Sequence, residues 1–306
     1  MDHRRFDLVV FGATGFTGKL VAEYLARNHR GALRWAIAGR DPQKLAALKA
    51  ELARIDPGLA ELETLLADSA DRASLDALAR ATRVLVTTVG PYMKYGRELA
   101  SACAEQGTHY ADLTGEVPFV RESIERNDAR ARSTGARIVH SSGFDSIPSD
   151  LGVFMLHQHF AAQGRRLARA SFFIEALKGG ASGGTLATMS TVAEAASRDR
   201  DVRRLIGDPY ALVLDGEAGP ESDRYRIRFE PRIGKWVCPF VMAAINTRVV
   251  HRSNALSGYA YGRDFRYSEE MCTGRGPAGF ARATAVSGGL GAFVALAATG
   301  PGRRVL

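Results

Sequence analysis

Gly12, Gly15 and Gly18 follow a short apolar run in VVFGATGFTGKL, residues 9–20, and a helical pattern opens beside the last of them. Glycines at this spacing can hold a phosphate. Gly12 allows a tight turn off a strand, Gly15 lets the backbone approach a pyrophosphate, and Gly18 lets the helix pack closely on the sheet. The phosphates would lie at the helix N-terminus, where unpaired N–H groups and the macrodipole favour negative charge. Thr14 and Thr17 can add hydroxyl contacts, with Phe16 between them at the start of the helix. The pattern is Gly-x-x-Gly-x-x-Gly, one residue longer between its first two glycines than Gly-x-Gly-x-x-Gly. A plain strand–helix turn competes with this reading. The position at the end of the first strand of a βαβ pattern favours the nucleotide.

The second apolar run discriminates between nucleotides. It ends in WAIAGRDPQKL, which puts Arg40 at the strand end, 22 residues after Gly18. An acidic residue there bonds a free ribose, whereas an arginine can meet a 2′-phosphate. Asp41 follows at once, but it precedes Pro42 and suits the N-cap of the next helix. That leaves Arg40 for the phosphate, with Lys44 one turn away, and the expected cofactor is NADP(H). Asp68, after a third strand, stands where an adenine contact is common, or caps the following segment. Gly90 and Pro91, in TTVGPY, would let the chain pass close to the ribose and nicotinamide at the strand's carboxyl end.

Hydride transfer also needs a proton donor or an oxygen-polarising group. None of the nine tyrosines has a lysine four residues on, which argues against short-chain-dehydrogenase catalysis. The catalytic candidates are Tyr92, next to the nicotinamide stretch, and Asp145 and Ser146, in GFDSIPSDLG. Tyr92 reads equally as a packed aromatic, and Ser146 or Ser149 as a helix cap. His109, Tyr110 and Asp112 form a polar group in HYADL, and His140 ends a strand. GGASGGT, residues 179–185, is a second glycine loop, suited to an anion or to a hinge. Neither the histidines nor the three cysteines have metal-site spacing.

The elements that must position these residues alternate. Strands are expected at 8–11, 33–38, 62–66, 83–89, near 110 and at 136–141, with helices at 16–28, 42–55, 73–81, 92–106 and 119–133. This rhythm argues for an α/β, doubly wound parallel sheet. Beyond about residue 145 it changes to α+β: a helix at 147–162, a strand at 169–177, a helix at 185–196, loop at 208–222, a strand at 225–229, and helix or strand at 240–250. The expected division is a nucleotide domain at 1–146 and a substrate domain at 147–306.

The chain has 306 residues, 46% apolar and 24% charged, with a net charge of +8. Six of its 41 basic residues are lysines. The arginines are scattered beside acids, as in RESIERNDARAR, which reads as solvated helix surface and not as a nucleic-acid stripe. Cys103, Cys238 and Cys272 make no disulfide framework, so a cytoplasmic location is expected. Residues 283–302 carry no charge, a length that would suit a membrane span. Glycines and Pro301 interrupt it. A buried helix is the expectation, and a lipid-facing one the alternative.

GATGFTG, AGR, VGPY, GTHYADLTGE, SSGFDSIPSDLG and GGASGGT occur in this order from Gly12 to Thr185. With them the chain resembles the saccharopine dehydrogenase-like oxidoreductases, in the branch of the trans-acting enoyl reductases. The resemblance implies a Rossmann domain followed by an α+β substrate domain, and use of NADP(H). It implies reduction of a C=C bond in a hydrophobic lipid or polyketide-type substrate, in trans with a synthase. Animal relatives associate with lipid droplets, which adds weight to a lipid contact through 283–302. Relatives continue beyond the equivalent of Leu306, so a form shortened at its carboxyl end is expected. An NADP(H) sensor or lipid-associated scaffold without turnover is the alternative function.

Overall fold

A computed structural model describes residues 4–29, 31–177, 183–214, 219, 226–299 and 302. The chain divides into two compact units: 1–114 with 119–143, and 115–118 with 144–306.

The first unit is a doubly wound sheet. Its elements are β1 (Phe6–Phe11), α1 (Phe16–Asn28), β2 (Trp35–Gly39), α2 (Pro42–Ile55), β3 (Glu63–Leu66), α3 (Arg72–Ala81), β4 (Thr82–Thr87), α4 (Tyr92–Tyr95), α5 (Arg97–Gln106), β5 (His109–Asp112), α6 (Val117–Thr134, all but its first two residues) and β6 (Ile138–Val139). The strand order is β3-β2-β1-β4-β5-β6, every pair parallel. The chain winds outward from β1 to β3 and returns to β4 on the other side of β1. The carboxyl ends of β1 and β4 therefore flank the switch point at which such sheets bind ligands.

Successive side chains of β1 feed two cores. Val9 and Phe11 pack with Leu75, Leu85, Leu99 and Tyr110, while Val10 packs with Ile37, Leu45, Leu48 and Leu52. Period-two alternation makes this possible, and all five residues of β2 are buried because helices cover both faces. The expected helix at 92–106 is two helices, α4 and α5, meeting at Gly96. A Cβ at Gly96 would stand 2.8 Å from the Phe119 ring, so that ring presses on the junction. The strand expected at 136–141 shrinks to β6.

The second unit contains α7 (Ile147–Ala161), β7 (Arg169–Ile174), α8 (Gly183–Arg198), α9 (Arg200–Gly207), β8 (Arg228–Glu230), β9 (Lys235–Pro239), α10 (Ala243–Leu256), β10 (Arg266–Gly274) and α11 (Gly276–Ala297). Its mixed sheet has the order β7-β10-β9-β8, parallel only between β7 and β10. The segment expected as helix or strand at 240–250 is helical. Strand β10, which sequence reading missed, is an inner strand of this sheet.

Helix α11 corrects the buried-helix expectation. It starts at Gly276, earlier than the uncharged stretch, and buries only Gly279, Ala283 and Ala297. Phe280, Val286, Val294 and Leu296 are 37–50% exposed. By length and composition it could cross a membrane.

Candidate cofactor site

The glycine turn is built from close contacts. Gly12 adopts φ +81°, and a Cβ there would meet Val89 Cγ2 at 2.6 Å. A Cβ on Gly18 would stand 2.2 Å from the Gly12 carbonyl oxygen, so only glycine lets α1 start this close to the turn. Gly15 is different. It is exposed at the N-cap of α1, in extended conformation, and a Cβ there would touch only the Gly12 oxygen, at 3.3 Å. The space before the helix is thus kept open by Gly15 while Gly12 and Gly18 shape its floor. The N-cap Gly15 offers no side-chain bond and the first turn of α1 carries no acid, so among the described residues its leading N–H groups are left to an anion. Thr14 and Thr17 are part-buried beside this opening, and Phe16 is 75% exposed.

Backbone bonds bring the neighbouring strand ends to the turn. Gly12 N–H donates to the Ala38 carbonyl at 2.9 Å, and Ala67 N–H to the Gly39 carbonyl at 3.1 Å. Arg40 follows directly, exposed and without an ion-pair or hydrogen-bond partner among the described residues. Asp41 is occupied as the sequence suggested: its Oδ1 accepts from Gln43 N–H at 3.0 Å and Lys44 N–H at 3.1 Å. Lys44 Nζ lies 3.9 Å from Asp41 Oδ2. Asp68 closes its own turn by accepting from Ala70 N–H at 2.9 Å, while Asp71 caps α3. Asp68 is therefore not that helix cap, and it stays part-exposed beside the β2–α2 turn.

At the end of β4, Thr88 Oγ1 donates to the Gly12 carbonyl at 3.1 Å. Sequence reading quoted TTVGPY yet passed over Thr88; a hydroxyl beside two glycine turns was the available signal. Gly90 is exposed and Pro91 follows it into α4. Tyr92 is 3% exposed, its hydroxyl donating to the Thr87 carbonyl at 3.2 Å and accepting from Leu113 N–H at 3.4 Å. Its ring stacks on Phe119 at 5.7 Å. This geometry makes Tyr92 a packing residue rather than an exposed proton donor.

The polar group around HYADL joins differently from its sequence neighbours. Asp112, 2% exposed, accepts from the Tyr110 hydroxyl at 2.9 Å and lies 2.6 Å from His140 Nδ1. His140 Nε2 lies 2.9 Å from Ser123 Oγ. Asp112 Oδ1 also accepts from Thr114 and Ser141 N–H groups, each at 3.0 Å. Serine, histidine and aspartate stand in line, but Ser123 is 4% exposed and receives Asn127 Nδ2. The chain of bonds braces the ends of β5 and β6 and offers no open nucleophile. Burial, with Asp112 alongside, pushes the Tyr110 hydroxyl well up. His109 is outside the group, its Nδ1 accepting from Arg137 N–H at 3.1 Å.

In the second unit, Asp145 is exposed and its carbonyl accepts from Asn246 Nδ2 at 2.8 Å. Ser146 is 3% exposed at the N-cap of α7, but its side chain makes no cap bond. Asn246 was missed because its helix was read ambiguously. Residues 179–182 of GGASGGT lie outside the described residues. Among the described residues no group of three or more His, Cys, Asp or Glu side chains is placed to hold a metal ion.

Residues 8–139 match the saccharopine dehydrogenase NADP-binding domain. A trans-acting enoyl reductase of Mycobacterium ulcerans is 43% identical over 303 residues, covering 96% of this chain and 72% of its own length. A Mycobacterium tuberculosis protein provisionally named for the same activity is 48% identical over 280 residues, covering 89% of this chain and 66% of its own length. A saccharopine dehydrogenase structure from Saccharomyces cerevisiae superposes with a TM-score of 0.43 at 15% identity, over 56% of this chain and 34% of that one. The chain belongs to the saccharopine dehydrogenase-like family, in the branch of the trans-acting enoyl reductases, and its residues 8–139 are an NADP-binding domain.

Proposed function

We propose that the chain is an NADP(H)-dependent oxidoreductase that reduces a C=C bond of a hydrophobic lipid or polyketide-type substrate, working in trans with a synthase. The observation that carries this reading is the pairing of an open, uncapped α1 N-terminus with Arg40, which has no partner among the described residues. The α1 N–H groups and Thr14 and Thr17 would hold the pyrophosphate, with Gly12, Gly15, Phe16 and Gly18 shaping the approach. Arg40 would take the 2′-phosphate, Asp68 the adenine side, and Gly90 and Pro91 the ribose and nicotinamide side. NADPH, when bound, supplies a hydride. Asp145 and Ser146 would orient the substrate, and Tyr92 braces Thr87 and Leu113 through its hydroxyl. The relatives' names supply the enoyl class, and the chain spans 66–72% of their length.

The test is NADPH oxidation by the purified protein with enoyl thioesters of increasing chain length. The reading expects turnover with NADPH and little with NADH. NADPH binding without turnover of any enoyl or keto lipid would favour the sensor instead. The exposed apolar length of α11 supports a peripheral lipid contact. Cosedimentation with lipid vesicles, reduced by Phe280→Asp with Val294→Asp, is the expected outcome; equal sedimentation of both forms would contradict it.

A further inference from the structure

The first residues of β7 and β10 carry like charges side by side. Arg169 and Arg266 are register partners on these parallel strands, so they share a face at the strand spacing of about 4.8 Å. Like charges placed in this way cost stability. Both are exposed, and neither has a hydrogen-bond or ion-pair partner among the described residues. On α6, by contrast, arginines have acids a turn away: Arg121 pairs with Glu125 and Arg132 with Asp128.

The chain around them builds an arginine surface. Residues 163–169 and 259–266 hold five arginines, Arg165, Arg166, Arg169, Arg263 and Arg266, and one acid, Asp264, all of them exposed. Arg166 Nη2 donates to Asp264 Oδ2 at 2.9 Å, and Nη1 donates to Oδ1. Gly262, at φ +101°, makes room for this pair, since a Cβ there would stand 2.6 Å from Arg166 Nη1. Arg165 Cζ lies 5.2 Å from the centre of the Phe160 ring, and Arg263 Cζ 4.0 Å from that of Tyr259. Tyr259 is itself held in the left-handed region at φ +59°, a conformation that costs a bulky residue energy. Asn254, 4% exposed, fixes the loop from beneath: it donates to the Gly262 carbonyl and accepts from Tyr261 N–H, each at 2.9 Å. Tyr261 and Phe265 anchor the loop in the core of the second unit. Guanidinium groups fixed in this way lose little freedom when a partner binds.

The chemistry selects the partner. The anion already seated on this surface is a carboxylate, and Arg169 and Arg266 offer the same fork unfilled. All five arginines are exposed, whereas small ligands lie in pockets that bury most of their area; arginine is enriched at protein interfaces. Single-stranded nucleic acid is held by free aromatic faces, but Phe160 and Tyr259 lie under guanidinium groups. A bilayer takes up apolar side chains beside the charges, but Leu167, Tyr261 and Phe265 are buried.

We propose that Arg165, Arg169, Arg263 and Arg266 form a docking surface for an acidic face of the protein that presents the substrate. The identity of that partner rests on the reading of a reductase working in trans; the affinity for an acidic protein surface does not.

A fluorescein-labelled decaglutamate peptide tests this by anisotropy, with the full chain and without nucleotide or substrate. The wild type should bind it at about 0.05 M salt, and more weakly as salt rises. Arg169→Glu with Arg266→Glu should weaken binding at least about tenfold. Arg54→Glu with Arg80→Glu alters the net charge equally on exposed helix positions of the first unit, and should change the affinity less than about twofold. Arg169→Glu alone sets opposite charges in register, so it should keep or raise the thermal midpoint while lowering the affinity. A wild type that does not bind, equal weakening by the two double variants, or stronger binding at these arginines of decathymidylate or of phosphatidylglycerol vesicles than of the peptide would each overturn the proposal. If the peptide docks as expected and NADPH fails to bind, the reductase reading fails while the docking surface stands.

Discussion

Gly15 and Gly18 share a motif but answer to different constraints. A Cβ on Gly18 would lie 2.2 Å from the Gly12 carbonyl oxygen, so Gly18→Ala must move the turn. Overpacking of that kind costs about 1–3 kcal/mol, and a lowered thermal midpoint with weakened NADPH binding is expected. Gly15→Ala needs an adjustment of a few tenths of an ångström in a φ that alanine accepts. It should keep its thermal midpoint and still lose nucleotide affinity, because the added methyl fills the opening. Unchanged NADPH affinity in Gly15→Ala would remove that residue from the site. The same distinction applies to Tyr92, whose hydroxyl sits between the Thr87 carbonyl and Leu113 N–H. Its position in VGPY was readable, but its burial under Phe119 depends on α6, some 27 residues on, and no local pattern carries that information.

At the level of elements, the β2–α2 junction shows how one acid can be excluded from ligand duty. Asp41 satisfies two N–H groups of α2. Asp41→Ala should therefore cost about 1 kcal/mol of stability and hardly change NADPH affinity. A large loss of affinity with stability intact would make Asp41 a ribose ligand and reopen the choice of nucleotide. The alternating elements of the first unit were legible because strands buried on both faces read as unbroken apolar runs, β2 most clearly. Strand β10 was not. Its sequence RYSEEMCTG places charge on an inner strand, where Glu270 pairs with Arg228 and Glu269 is bonded by neutral groups. Such compensation comes from β8 and α10, far away in sequence. Helix α11 misled in the opposite sense: an uncharged run suggested burial, but only three of its residues achieve it.

For the whole molecule, pH is the informative variable. Glu269 ordinarily titrates near 4.5 and is pushed up to about 7 by burial. The folded state thus holds a proton that the unfolded chain releases, and stability falls as pH rises from about 4.5 through about 7, by about 3 kcal/mol in all. Asp7, Glu98, Glu175 and Asp264 have the opposite sign, each held low first by a hydrogen bond from an arginine or lysine, so acid weakens the fold as well. Glu269→Gln should flatten the near-neutral slope in thermal unfolding and leave the acid limb in place; an unaltered slope would exclude Glu269 as its source. The claim on which the functional account stands is that the first unit selects NADP(H) through Arg40. The most direct measurement is a fluorescence titration of wild type and Arg40→Ala with NADPH and with NADH. The account predicts preferential NADPH binding by the wild type, and about a ten- to hundredfold loss in the variant for NADPH alone, as expected for a hydrogen-bonded charge contact. Tight NADPH binding that survives Arg40→Ala, or a wild type that binds neither nucleotide, would contradict it.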